Sequence, residues 1–214
     1  KAQSARQTNT SRGNTHSELH RWPDSGAKGV RTVNDLATSK LPIVEEEEAT
    51  GDVARVFAEG KRDLQVPYVP HWGKALAVSP AALATHWDFQ RSFYQRTTLP
   101  RTLIAMILYT VAETGKCEYC SALNEMYCRT MGIDGQMLSA LVKDLGNVSP
   151  QRIRVIIAFA LKAARNAREM DAEDFGRLRE QGVTDDEIME ILLVAAMSRY
   201  TNTLSDALQI DVDP

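Results

Sequence analysis

From Leu41 onward apolar residues return every three or four positions. Leu103, Ile104, Ile107, Leu108 and Val111 form one such row, and Ile153, Ile156, Ile157, Ala160 and Leu161 a second. Ile188, Ile191, Leu192 and Ala195 form a third. Rows of this kind are the buried faces of amphipathic helices, and no segment shows the period-two alternation of a strand. Ser79-Pro80 and Ser149-Pro150 each set a capping residue before a proline suited to the first helical position. Thr184-Asp185-Asp186-Glu187 has the form of a capping box. The pattern predicts an all-α fold with helices near 46–63, 70–77, 80–96, 100–114, 118–131, 134–144, 150–166, 171–181 and 185–207.

Residues 1–40 are different material. They are rich in Ser, Thr, Asn, Gly and Arg, and Trp22 is their one aromatic residue, so they cannot bury a core of their own. This divides the chain into a basic, polar N-terminal arm (1–40) and a helical domain (41–214). Arg6, Arg12, Arg21 and Arg31 are spread along the arm like the anchors of an extended peptide. They lack the interleaved aromatics of a nucleic-acid surface, so nucleic acid is not the expected partner. The chain starts with Lys, and residues 1–17 carry basic but no acidic side chains, which leads to the expectation of a processed mitochondrial or other organellar protein. The longest apolar run, Ile188–Met197, is interrupted by Glu190 and is about half of the roughly 20 residues a membrane-spanning helix needs, so no such span is expected.

At 214 residues with a net charge of −3, the chain has the size of one soluble domain. Its three cysteines, Cys117, Cys120 and Cys128, are too few for a secreted disulfide framework and point to a reducing compartment. Cys117-Glu118-Tyr119-Cys120 sits where one predicted helix ends at Gly115-Lys116 and the next begins. Two thiols three residues apart can close a reversible disulfide, and the positive end of a helix favours a thiolate. Cys117, Cys120 and Asn124 share one helix face. A base at position 124 would draw a proton from Cys120 one turn away, whereas an asparagine can only orient it.

Beyond this motif, Leu99-Pro100-Arg101 leads into the cysteine pair, and Met131-Gly132-Ile133 follows its helix. Leu41-Pro42, Thr50-Gly51-Asp52-Val53, Val66-Pro67-Tyr68-Val69-Pro70, Ser79-Pro80 and the run Tyr200–Leu208 complete an ordered set. In this set the chain resembles the carboxymuconolactone decarboxylase and alkylhydroperoxidase D superfamily, most nearly its peroxidase-related branch. The resemblance implies a helical bundle that assembles into homo-oligomers. It also implies that Cys120 attacks a peroxide and Cys117 resolves the product. Redox members of that superfamily carry a histidine four residues after the second cysteine and a glutamate twelve residues before the first. Here those positions hold Asn124 and Ala105.

Glu113, Glu118, Glu125, His71 and His86 are the residues available to replace the missing base. The glutamates read as a solvated helix face and the histidines as surface or packing residues. Trp72, Trp87, Phe89 and Phe93 read as core rather than as a ligand pocket. Three thiolates fall short of the four ligands of a structural zinc, so Cys128 reads as a small buried residue, and no metal or cofactor is implied. Two functions follow as expectations. One is a thiol peroxidase or disulfide reductase of weak activity, with Cys120 and Cys117 as its catalytic pair. The other is an accessory subunit of a larger assembly, docked through residues 1–40. Decarboxylation is a distant third, since superfamily members with that activity generally lack the cysteine pair.

Overall fold

The computed structural model of the protein describes residues 38–214, so the basic segment with Arg6, Arg12, Arg21 and Arg31 lies outside the described residues. Among the described residues the elements are all helical: α1 (Gly51–Leu64), α2 (His71–Leu76), α3 (Pro80–Arg96), α4 (Arg101–Gly115), α5 (Glu118–Thr130), α6 (Gly135–Lys143), α7 (Gln151–Asn166), α8 (Ala172–Glu180) and α9 (Asp185–Leu208).

Caps set most of these boundaries. Ser79 Oγ accepts from the Ala82 N–H at 3.3 Å with Pro80 behind it, and Asp134 accepts from the Met137 N–H at 2.8 Å. Thr184 and Glu187 form the expected reciprocal box. Two boundaries differ from the sequence expectation. The helix expected over 46–63 is divided into a short 3-10 turn at Glu46–Glu48 and α1, because Ala49 and Thr50 between them are extended (ψ 131° and 163°), and Gly51 enters α1 at φ +55°. Pro150 stands at the N-cap of α7 rather than inside it, and Ser149 therefore does not cap.

The most buried helix is α4, in which Leu103–Ile107 and Tyr109–Ala112 are all buried. A helix apolar on every side belongs inside a bundle, and α4 packs against α5, α7 and α9. The main core joins α4 to α6–α9 through Ile104, Ile107, Leu141, Ile156, Ile157, Leu178, Ile191 and Val194. A second cluster holds α1 to α3 through Val53, Val56, Phe57, Leu83 and Trp87. A third gathers Ala75, Ala112, Cys117, Tyr119, Cys120 and Ile210 around the start of α5. Residues 38–40 run beside the C-terminal segment, with the Lys40 N–H donating to Leu208 O at 2.7 Å and the Asp211 N–H to Thr38 O at 2.9 Å. Among the described residues, no helix is long and apolar enough to cross a membrane.

The aromatic group splits. Trp87 and Phe93 are core, Trp72 is partly buried, and Phe89 is 39% exposed, which corrects its reading as core; Trp72 and Trp87 also line a cavity, which corrects their reading as core alone. Phe89 lies two positions from Trp87, and on a helix that spacing points away from the shared face.

Candidate functional site

The turn between α4 and α5 delivers the cysteine pair. Lys116 takes a left-handed conformation (φ 60°), and its N–H donates to Glu113 O while the Cys117 N–H donates to Ala112 O. This is a Schellman closure, and it reverses the chain so that Cys117 becomes the N-cap of α5. Cys117 Sγ then accepts from the Cys120 N–H at 3.3 Å, taking the place of a capping oxygen. Gly115 permits the turn to lie against α9, since a Cβ there would come within 2.9 Å of Asn202 Nδ2.

Both thiols are free and almost entirely buried. Cys120 Sγ lies 3.4 Å from Ser205 Oγ on α9. Donation from the Cys117 thiol is the main reason that the Cys120 pKa lies below the ordinary thiol value; burial opposes the shift and the Ser205 hydroxyl adds to it. The same hydrogen bond, with burial, pushes Cys117 well above that value. The negative charge of Asp206 raises both. The pair is therefore polarised, with Cys120 the more acidic thiol and Cys117 the less acidic. Cys128 stands apart in the main core, its thiol pushed up to about 12 by burial. Among the described residues, no three His, Cys, Asp or Glu side chains converge as a metal site.

Beside the pair lies a cavity of about 900 Å³. Cys120 and Ser205 are on its wall, as are Ala105 and Asn124, but Cys117 is not. Asn124 does not orient the thiol. Its Nδ2 donates instead to the Cys120 carbonyl at 2.7 Å, within α5. Glu113, Glu118 and Glu125 are absent from the cavity wall, and Glu125 pairs with Arg129. His71 Nδ1 lies 2.9 Å from Asp211 O and its N–H donates to Asp213, so it fastens the C-terminal segment. His86 is on the cavity wall and buried, accepting from Trp72 Nε1 at 3.0 Å and stacking on Tyr200. Burial lowers its pKa to about 4, so near neutral pH it is uncharged.

Sequence reasoning missed Ser205 and Asp206. The available signal was on α9, where Ser198, Asn202 and Ser205 continue the buried face begun by Ile188, Ile191 and Ala195. Of these small polar residues on a buried stripe, Ser198 Oγ donates to Leu108 O and Ser205 meets the Cys120 thiol.

No family model and no curated protein matches the chain. Solved structures do. The chain superposes on the alkylhydroperoxidase AhpD core of an uncharacterized peroxidase-related protein from Ralstonia eutropha JMP134. The TM-score is 0.75 at 20% identity, over 82% of this chain and 93% of that one. The fold is that of the alkylhydroperoxidase D core. An uncharacterized peroxidase-related protein from Silicibacter sp. TM1040 gives 0.73 at 23% identity, over 82% and 92% of the two chains. The debrominase Bmp8, as its C82A variant in complex with 2,3,4-tribromopyrrole, gives 0.68 at 14% identity, over 80% and 90%. At these identities the likeness is one of fold.

Proposed function

We propose that the protein is a thiol oxidoreductase of the alkylhydroperoxidase D-like type, in which Cys120 attacks and Cys117 resolves. The observation that carries this reading is the asymmetry of the pair: Cys120 is on the cavity wall and Cys117 is not, and the lowering of the Cys120 pKa runs the same way. With a peroxide ROOH, the Cys120 thiolate bonds to the distal oxygen as the O–O bond breaks. The alkoxide leaves and takes a proton, and Cys120 becomes a sulfenic acid. Cys117 sulfur then displaces water from that sulfur, giving the Cys117–Cys120 disulfide, which an external dithiol returns to two thiols.

Turnover in this reading is slow. Neither Ala105 nor Asn124 can move a proton, Asn124 is committed to a backbone carbonyl, and His86 holds its Nε2 lone pair against Trp72. Stopped-flow mixing of the reduced protein with cumene hydroperoxide tests the proposal. One equivalent is consumed by the parent, and a sulfenic acid accumulates in Cys117→Ser for trapping by dimedone. No consumption, or equal consumption by Cys120→Ser, overturns it. Asn124→His together with Ala105→Glu is expected to raise the rate.

A second reading, a subunit of an assembly, is supported by the apolar row Met189, Leu193 and Tyr200 left exposed on one face of α9. Light scattering reports it: self-association abolished by Met189→Lys supports assembly through this face, and a monomer at all concentrations removes it.

A further inference from the structure

We infer that the cavity beside Cys120 is a binding site for an uncharged, largely apolar organic molecule bearing an acceptor oxygen that Tyr127 binds. This deepens the proposed function by naming the ligand chemistry, and it rests on that reading for Cys120 as the reacting wall.

Size sets the first condition. About 900 Å³ is the scale of a site for a drug-sized ligand and far exceeds what hydrogen peroxide requires. Along α5 the wall includes Cys120, Leu123, Asn124 and Tyr127, at i, i+3, i+4 and i+7, which is one continuous face, flanked by Tyr119, Met126 and Thr130. The helical rise puts Tyr127 roughly 10 Å from Cys120 along that face, a distance spanned by two fused or linked rings. Phe57 and Trp87 supply apolar surface from α1 and α3.

Charge sets the second condition. An anion buried here would need a compensating charge, and neutral His86 on the wall offers none. Of the cations on the wall, Lys61 pairs with Glu46 and Arg91 with Glu59 and Asp63. Arg101 lies 4.2 Å over the Tyr94 ring.

The polar anchor follows by elimination along α5. Asn124 Nδ2 is committed to the Cys120 carbonyl, the Tyr119 hydroxyl to Asp213 and the Thr130 hydroxyl to the Tyr127 carbonyl. The Tyr127 side chain, by contrast, makes no hydrogen bond among the described residues, and burial raises its pKa, so its phenol stays protonated as a donor.

Benzophenone and 1,1-diphenylethylene test this as a matched pair, since they share a shape and differ by an acceptor oxygen against a CH₂. Trp72 and Trp87 line the cavity and report binding by fluorescence. The parent is expected to bind benzophenone about five- to tenfold more tightly, the scale of one net hydrogen bond. In Tyr127→Phe that preference disappears while the hydrocarbon affinity is unchanged. Bound benzophenone is also expected to slow alkylation of Cys120 by iodoacetamide. Equal affinities in the parent, a preference that survives Tyr127→Phe, or no binding of either probe overturns the inference. Neither probe is an oxidant, so the titration stands or falls apart from peroxide reactivity and gives the same result in Cys120→Ser.

Discussion

At the level of single residues, the site works by giving Cys120 sulfur two side-chain donors and Cys117 sulfur only a backbone N–H. An ionised Cys120 receives the Cys117 S–H and the Ser205 O–H, and charge-assisted hydrogen bonds of this kind outweigh neutral ones. Ser205→Ala removes one donor and leaves the fold's apolar contacts in place. Its Cys120 pKa is expected to rise, and alkylation by iodoacetamide at pH 7 to slow by roughly tenfold, the scale of one hydrogen bond to a charged group. An unchanged rate would show that Cys117 alone sets the thiolate. The cysteine motif and its position at a helix start were legible in the sequence, because spacing and helix punctuation are local. Ser205 was not, because its 85-residue separation from Cys120 is closed only by the packing of α9 on α5.

At the level of elements, the α4–α5 corner decides whether the thiols meet. The residue that carries the left-handed conformation is Lys116, while Gly115 sits one position earlier, where a side chain would strike Asn202. Glycine is thus used for close approach and lysine bears the conformational cost, of about 1–2 kcal/mol for a non-glycine residue. Lys116→Gly is expected to stabilise the protein by up to about 1 kcal/mol, once glycine's greater freedom in the unfolded chain is subtracted. Gly115→Ala is expected to destabilise it by about 1–3 kcal/mol through overpacking against α9. Urea denaturation measures both, and reversal of either sign removes this account of the corner. The helices themselves followed closely from apolar periodicity and caps, as at Ser79 and Thr184. Departures came where a backbone angle or a tertiary surface ruled: extended Ala49 and Thr50 interrupted an expected helix, and Phe89 was left outside. The cavity had no sequence signal, because residues of α1–α5 and α9 form its wall only after those helices are assembled.

At the level of the whole molecule, buried neutral groups bind stability to pH from both sides. His86 is held uncharged by burial, with a pKa of about 4 against 6.5 when free. As pH falls below 6.5 the unfolded chain takes up a proton that the native state refuses, so stability declines toward pH 4 with a limiting slope of about 1.4 kcal/mol per pH unit. Glu46, Glu59 and Glu187, whose pKa values are lowered from 4.5, add to the decline only nearer that value. The interval from 6.5 to about 4.5 therefore belongs to His86, and His86→Gln should flatten it. On the alkaline side Cys128 keeps its proton to about 12 although a free thiol releases it near 9, and Cys117 is raised as well. Above pH 9 the unfolded state holds fewer protons than the native state, and stability falls again. Cys120 contributes oppositely, since its lowered pKa favours the native state as pH rises toward 9, and that gain is complete there. Denaturant titrations from pH 4 to 11 should therefore show a maximum between the two declines. Cys128→Ala should reduce the alkaline slope by about one proton's worth, ~1.4 kcal/mol per pH unit. An alkaline limb unchanged in that variant would mean that the main core admits a thiolate at Cys128, and that α4 and its neighbours are less closed to water than their burial implies.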